Sequence, residues 1–330
     1  MTLTMSSPSS TRNVFELGAY TVCVLQVDPK SCARTTSSSS SSLLSHPLTK
    51  SLLIATPTEK GEFPILVFLH GFLLYNSFYS QLIQHIASHG FIVIAPQLYN
   101  CAGPDSSDEI KSAAAVTEWL SDGLSSVLPP AVLPNLTKAA LAGHSRGGKV
   151  AFALALSYSS ASKSGSTNSL IKYSVLMGID PVDGMDKGKQ TPPPVLTYVP
   201  RSFDVDMAAL VVGSGLGEIK KNRFFPPCAP KGVNHEDFYN ECQSPACYFV
   251  VKDYGHTDML DDETKGIRGK LSHCTCKSGK TREPMRRFVG GIMVAFMKAY
   301  LEGDPSYLNA IKDGKETRNP VELQTVEFLV

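Results

Sequence analysis

Residues 141–150 read LAGHSRGGKV, with Ser145 two places after Gly143 and two places before Gly147. A serine hydroxyl can attack an ester carbonyl when a histidine takes its proton and a carboxylate orients that histidine. The glycine spacing is what a sharp strand-to-helix turn needs. The middle residue is forced into strained backbone angles, and a side chain at either glycine would strike a neighbouring element. Glycine makes up about 7% of ordinary sequences, so a given serine has this spacing by chance about once in 200. The chain is rich in serine, so the spacing alone decides little. Its place at the junction of an apolar strand and a helix carries the argument. There the amide of Arg146, first in the helix, would face an oxyanion forming on the attacked carbonyl.

The chain has eight histidines. His256 follows the run ACYFVVKD in the turn DYGHTDML, late in the chain, and is favoured as the base. His235, in VNHEDF, is the contender. His46 precedes the core, and His85 and His89 read as surface residues of a helix. His70 reads as a structural hydrogen-bonder, and His144 as pointing away from Ser145. The acid favoured is Asp180, which ends YSVLMGID and is stopped by Pro181. Glu218, after AALVVGSG, is its rival; Asp183, Asp204 and Asp206 lie further along loops, and Asp253 and Asp258 read as exposed turn residues. The strand ILVFLH runs into Gly71 and Phe72, and the amide of Phe72 is the expected second oxyanion donor. Phe72, Leu73, Leu74, Tyr75 and Phe78 put apolar side chains beside that turn, suiting a greasy substrate, although some of them would pack the following helix.

These residues need a scaffold that brings distant segments to one edge. Short apolar runs PILVFLH, FIVIAPQ, KAALAGH, YSVLMGID, AALVVGSG and ACYFVVKD read as strands buried on both faces. AYTVCVLQV and SLLIATP read as two antiparallel strands that start the sheet. Between the runs, SFYSQLIQHIASHG, EIKSAAAVTEWLSDGL and RGGKVAFALALSY read as helices. PMRRFVGGIMVAFMKAYL is a later helix with Met285, Phe288, Ile292 and Phe296 on one face. The alternation predicts an α/β fold, a mostly parallel twisted sheet of about eight strands with helices on both faces. Residues 1–14 read as a flexible N-terminal segment and 15–330 as a single domain with a Ser-rich loop at 35–45. The stretch from Ser159, SSASKSGSTNS, reads as another loop.

The net charge of +1 without a basic stretch argues against a nucleic-acid partner. No segment has the uninterrupted apolar length of a membrane span. The N-terminus is rich in Ser and Thr and poor in acids, which leans toward a transit peptide. Eight cysteines over this length are not a disulfide scaffold, although one pair among those clustered in the C-terminal third could bridge in an oxidising compartment. His273-Cys274-Thr275-Cys276 is half of a zinc pattern with no second half, so neither metal nor cofactor is expected.

The chain resembles plant chlorophyllases from about Phe15 to Asp313. The resemblance is carried by ILVFLHGF, HIASHGFIVIAPQLY, GHSRGG, GIDPV, CAPKGVNHEDFYNEC, VKDYGHTDMLDD and EPMRRFVGGIMVAF. It implies an α/β-hydrolase fold and a serine esterase that removes the phytyl chain of chlorophyll, giving chlorophyllide and phytol. It implies Ser145, Asp180 and His256 as the triad, and Cys228 with Cys242 as the first pair to consider for a disulfide. It also implies a chlorophyll or related pigment as the partner molecule, peripheral contact with pigment-bearing membranes and a chloroplast location; cytosol or an endomembrane compartment are the alternatives. Two other functions compete: a different carboxylesterase or lipase acting on apolar esters, and a non-catalytic ligand-binding protein on a hydrolase scaffold.

Overall fold

Among the described residues the strands, numbered in chain order, form one nine-stranded sheet with the order β1-β2-β4-β3-β5-β6-β7-β8-β9. The structure, a computed structural model, describes residues 13–29, 46–101, 103–163, 171–316 and 318–330. The strands are β1 Val22–Val27, β2 Leu52–Pro57, β3 Gly61–Leu69, β4 Ile92–Pro96 and β5 Val132–His144. They continue as β6 Tyr173–Ile179, β7 Ala208–Ser214, β8 Ala246–Val251 and β9 Leu323–Leu329. The pairs from β4 through β8 are parallel. The pairs β1–β2, β2–β4 and β8–β9 are antiparallel. The α/β-hydrolase arrangement expected from the sequence is present, with β9 as a strand beyond the expected eight.

Among the described residues seven α-helices cover the sheet: α1 Ser80–Ala87, α2 Ser107–Val127, α3 Arg146–Lys163, α4 His235–Glu241, α5 Gly266–Cys274, α6 Glu283–Met297 and α7 Ser306–Lys312. Alternate residues of β3 show why the runs are apolar throughout. Ile65, Val67 and Leu69 join the cluster with Trp119 and Leu120 of α2 and Val150 and Phe152 of α3. Leu66 and Phe68 join the opposite cluster with Leu82 and Ile86 of α1 and Phe288 and Ile292 of α6. Each such fully buried side chain contributes roughly 1.5–3 kcal/mol of transfer free energy, so a polar replacement on either face is costly. Met285, Phe288, Ile292 and Phe296 are all fully buried, as their common face required.

Three local expectations change. The polar stretch from Ser159 is helical as far as Lys163, where α3 ends. Its Ser160 is accommodated by bonding back into the helix, Oγ donating to the Leu156 carbonyl, as Ser157 just before the stretch does to that of Ala153. His85 and His89 are buried rather than on the surface. Their Nε2–H groups donate to the carbonyls of Val14 and Glu16, each at 2.8 Å, so the incoming chain covers them. Val14 and Phe15 are themselves core residues. The rest of the expected N-terminal segment, the Ser-rich loop at 35–45 and residues 164–170 lie outside the described residues.

Strand order reverses at β3, which lies between β4 and β5. In an open α/β sheet ligands bind beyond the carboxyl ends of strands at such a switch point. The ends of β3 and β5 are where Gly71 and Ser145 leave the sheet.

Candidate active site

Ser145 is the single residue between β5 and α3, and its φ is +56°. L-residues rarely adopt this region, so neighbours must hold it there. Ser145 N–H donates to the Ile179 carbonyl at 3.0 Å, and its carbonyl accepts from the amides of Lys149 and Val182. The flanking glycines are required by space. A Cβ on Gly143 would lie 2.2 Å from the Gly147 carbonyl oxygen, and one on Gly147 would lie 2.4 Å from the carbonyl oxygens of Leu69 and His70.

Ser145 Oγ is 2.8 Å from His256 Nε2. His256 Nδ1 is 2.7 Å from Asp180 Oδ2. An ionised carboxylate only accepts, so Nδ1 carries the proton and the Nε2 lone pair faces the serine hydroxyl. Asp180 sits at the end of β6 with φ +46° and is fully buried. Burial pushes its carboxyl up, but hydrogen bonding and charge from His256, the charge of His235 and the Ser214 hydroxyl outweigh it and hold the pKa to about 2. Ser214, at the end of β7, supplies both its hydroxyl to Oδ2 and its amide to Oδ1. No sequence signal marked Ser214 beyond its place at a strand end.

The competing residues are engaged with other partners. His235 Nε2 lies 3.8 Å from the other oxygen of Asp180, while its Nδ1 is bound to the Tyr248 hydroxyl. Glu218 accepts from Asn234 Nδ2. Asp183 is buried against the ammonium of Lys149. Asp204 and Asp206 pair with Lys163 and Lys172. Asp258 is buried, not exposed. Its Oδ2 accepts the amides of Gly255 and Gly279, each at 2.7 Å, and so shapes the turn that carries His256.

The turn after β3 is fastened by two tyrosines. Gly71 N–H donates to Tyr79 Oη at 3.0 Å, and Leu73 N–H donates to Tyr99 Oη at 3.2 Å. The amides on both sides of Phe72 are thus taken. A Cβ on Gly71 would lie 3.2 Å from Ser145 Cβ, which shows how closely this turn approaches the serine. Arg146 opens α3, where amides have no partner within the helix. Its guanidinium pairs with Glu109 at 2.7 Å, binds the carbonyls of Gly103 and Asp105, and lies 5.3 Å from the centre of the Phe72 ring.

His144 and Tyr79 complete a buried relay beneath the site. Tyr79 Oη is 2.7 Å from His144 Nδ1, and His144 Nε2 is 2.8 Å from the His256 carbonyl oxygen. Burial first, and then the charge of His256, hold the His144 pKa down to about 3, so its ring is neutral. The carbonyl can only accept, which places the His144 proton on Nε2 and makes Tyr79 the donor to Nδ1. The His144 ring lies tilted at 41° to that of His256, with ring centres 4.7 Å apart. His70 bonds through Nδ1 to the Gly71 carbonyl and through Nε2 to the Leu98 amide, a structural role.

Of the expected apolar wall, Leu74 and Phe78 are buried in the core, whereas Phe72 and Leu73 are exposed and Tyr75 is half-buried. A 3-10 turn over Asn76–Tyr79 directs Phe78 inward. The wall therefore reduces to Phe72, Leu73 and Tyr75. The disulfide joins Cys228 to Cys276, with Cα atoms 5.6 Å apart, and not to Cys242. Cys242 ends α4 with its thiol turned into the core against the Phe238 carbonyl, and burial pushes its pKa up to about 12. Cys276 is brought to Cys228 by a bridge between Lys220 and Cys276.

A family model described as Chlorophyllase matches residues 10–330. The chain is 60% identical to Chlorophyllase-2 of Arabidopsis thaliana over 326 residues, covering 98% of this chain and 100% of that protein. It is 43% identical to Chlorophyllase-1 of the same plant over 90% of this chain and 87% of that one. It is also 43% identical to "Chlorophyllase-1, chloroplastic" of Citrus unshiu over 88% of this chain and 84% of that one. The chain belongs to the chlorophyllase family, carboxylic ester hydrolases that act on chlorophyll.

Proposed function

We propose that Ser145, His256 and Asp180 act as a catalytic triad that cleaves the phytyl ester of chlorophyll to chlorophyllide and phytol. The observation that carries this is the continuous chain from the Ser145 hydroxyl through both nitrogens of His256 to a buried, ionised Asp180. His256 takes the hydroxyl proton as Oγ attacks the propionate ester carbonyl. The oxyanion is met by the amides of Phe72 and Arg146, each such donor being worth about 3 kcal/mol in the transition state. His256 then gives the proton to the departing phytol oxygen. Water, activated by the same imidazole, releases chlorophyllide and restores the serine. Asp180 stays ionised and holds the imidazolium in place.

In this reading Phe72, Leu73 and Tyr75, exposed or half-buried in the turn that approaches Ser145, meet the hydrocarbon part of the pigment. A chloroplast location is supported by the printed name of the Citrus relative. The pigment's insolubility supports peripheral contact with the membranes that carry it. A fluorophosphonate probe tests the assignment. It should modify Ser145 alone, found by peptide mass spectrometry, and chlorophyll should slow the labelling. Labelling at another serine, or none, would refute it.

A further inference from the structure

Among the described residues no helix is long and apolar enough to cross a membrane. A phytylated pigment held in a bilayer must then be met from its surface. The loop after β7 reads Ile219-Lys220-Lys221-Asn222-Arg223-Phe224-Phe225, exposed at every position. Phe224 is 83% exposed and Phe225 40%. Single exposed apolar residues are ordinary, but two adjacent phenylalanines behind three cations are not. The neighbouring helix α5 repeats the pattern. Ile267, 80% exposed, and Leu271, 43% exposed, are one turn apart on its outer face, with Lys265 and Lys270 beside them.

The two elements are tied together. Lys220 bridges to Cys276, Cys228 is disulfide-bonded to Cys276, and Lys221 Nζ donates to the His273 carbonyl. Both also abut the turn of His256. Leu216 N–H donates to the Tyr254 carbonyl at 2.9 Å, and Thr257 Oγ1 to the Ser272 carbonyl at 3.0 Å. Arg268 of α5 lies over the ring of Tyr75, 4.6 Å from its centre, in the loop that follows β3. Nearby acids are partly engaged: Glu218 with Asn234 and Asp262 with Arg286. Glu263, like Glu218 and Asp262, is exposed.

We infer that this loop and α5 form a docking face for an anionic bilayer, the phenylalanines and Ile267 entering the headgroup boundary while the lysines and Arg223 meet lipid phosphates. Apolar wedges with flanking cations bind such interfaces by the two effects together. The face places the site opening against the lipid, so a phytyl ester reaches Ser145 without crossing water. The inference rests on the pigment-hydrolase reading and adds the surface through which that substrate is reached.

Vesicle flotation of the full chain tests it, using phosphatidylcholine alone or mixed with phosphatidylglycerol, at low and high salt. The protein should bind the mixed vesicles and bind phosphatidylcholine weakly. Phe224→Ser/Phe225→Ser should weaken binding at least about tenfold, since each buried phenylalanine carries that much transfer energy. Lys220→Gln/Lys221→Gln/Arg223→Gln should lose about fivefold per cation and most of the salt dependence. Both variants should hydrolyse a soluble p-nitrophenyl ester and detergent-dispersed chlorophyll at the wild-type rate, which also shows that they fold. Equal binding to both vesicle types, or variants that bind like wild type, would overturn the docking face. Intact vesicle binding with no hydrolysis of dispersed chlorophyll would support the face while faulting the hydrolase reading instead.

Discussion

Replacing Tyr79 by phenylalanine deletes one oxygen from beneath the site and nothing that touches substrate. Tyr79 is fully buried, so its ring stays where packing put it. The missing hydroxyl accepts Gly71 N–H at 3.0 Å and donates to His144 Nδ1 at 2.7 Å. Tyr79→Phe leaves a buried amide and a buried imidazole nitrogen without partners, each costing about 1–3 kcal/mol. His144 cannot recover by protonating, because burial holds its pKa near 3. The expected loss of stability is about 2–4 kcal/mol, less than the two penalties at their maximum because the turn can relax. That relaxation has a catalytic cost. Gly71 precedes the proposed oxyanion amide of Phe72, and His144 holds the carbonyl of His256. Half the worth of one oxyanion donor corresponds to roughly a tenfold fall in kcat. KM should hold, since the changed groups do not line the approach. The assay is steady-state hydrolysis of dispersed chlorophyll and of a soluble ester, beside thermal melting of both proteins. A variant that melts lower yet keeps kcat within about twofold would refute the coupling of the relay to catalysis, as would a raised KM at unchanged kcat.

Asp180→Asn should lower kcat on the order of 10⁴-fold with KM little changed, because the amide no longer enforces the productive His256 tautomer; steady-state kinetics checks this, and a loss under about tenfold would contradict it. Gly147→Ala drives a Cβ to 2.4 Å from the Leu69 and His70 carbonyl oxygens, so it should cost about 3 kcal/mol or more, read by thermal melting, and abolish fluorophosphonate labelling. Stability should fall as pH drops from 6.5 toward 4. Burial lowers the pKa values of His70 and His85 to about 4 and of His144 to about 3, so the unfolded chain binds protons that the folded chain refuses, costing about 1.4 kcal/mol per pH unit per histidine. Asp180 acts lower down, its contribution being complete above pH 3.8 and lost as pH approaches 2; urea midpoints across this range test both, and a flat profile would contradict them.

The site was legible where local backbone rules position chemistry. Ser145 between spaced glycines, Asp180 stopped by Pro181 and His256 in the turn after a buried strand each lie at a strand end, and the sheet brings those ends together. What could not be read depends on contacts between distant segments. His85 and His89 look like surface residues until the carbonyls of Val14 and Glu16 fold over them. The pairing of Cys228 with Cys276 requires the loop after β7 to cross toward the end of α5, and spacing alone does not encode connectivity. Leu74 and Phe78 share the composition of a binding wall, but both are buried in the core, Phe78 by way of the 3-10 turn. Tyr79, Tyr99 and Ser214 act through hydroxyls, and Ser214 also through its amide, on partners such as His144, Leu73 and Asp180 that lie 26 or more residues away, so no local pattern flags them. β9 is half-exposed and lacks the apolar run that marked the central strands.

The oxygen of Ser145 is the attacking atom of the proposed reaction. The direct measurement is chlorophyll hydrolysis by the wild-type chain and by Ser145→Ala, with pigment binding measured in parallel and products separated as phytylated and dephytylated pigment. The wild type should release chlorophyllide and phytol, and the variant should bind pigment equally well while releasing neither. Chlorophyllide formed by Ser145→Ala at a rate comparable to wild type would contradict the account.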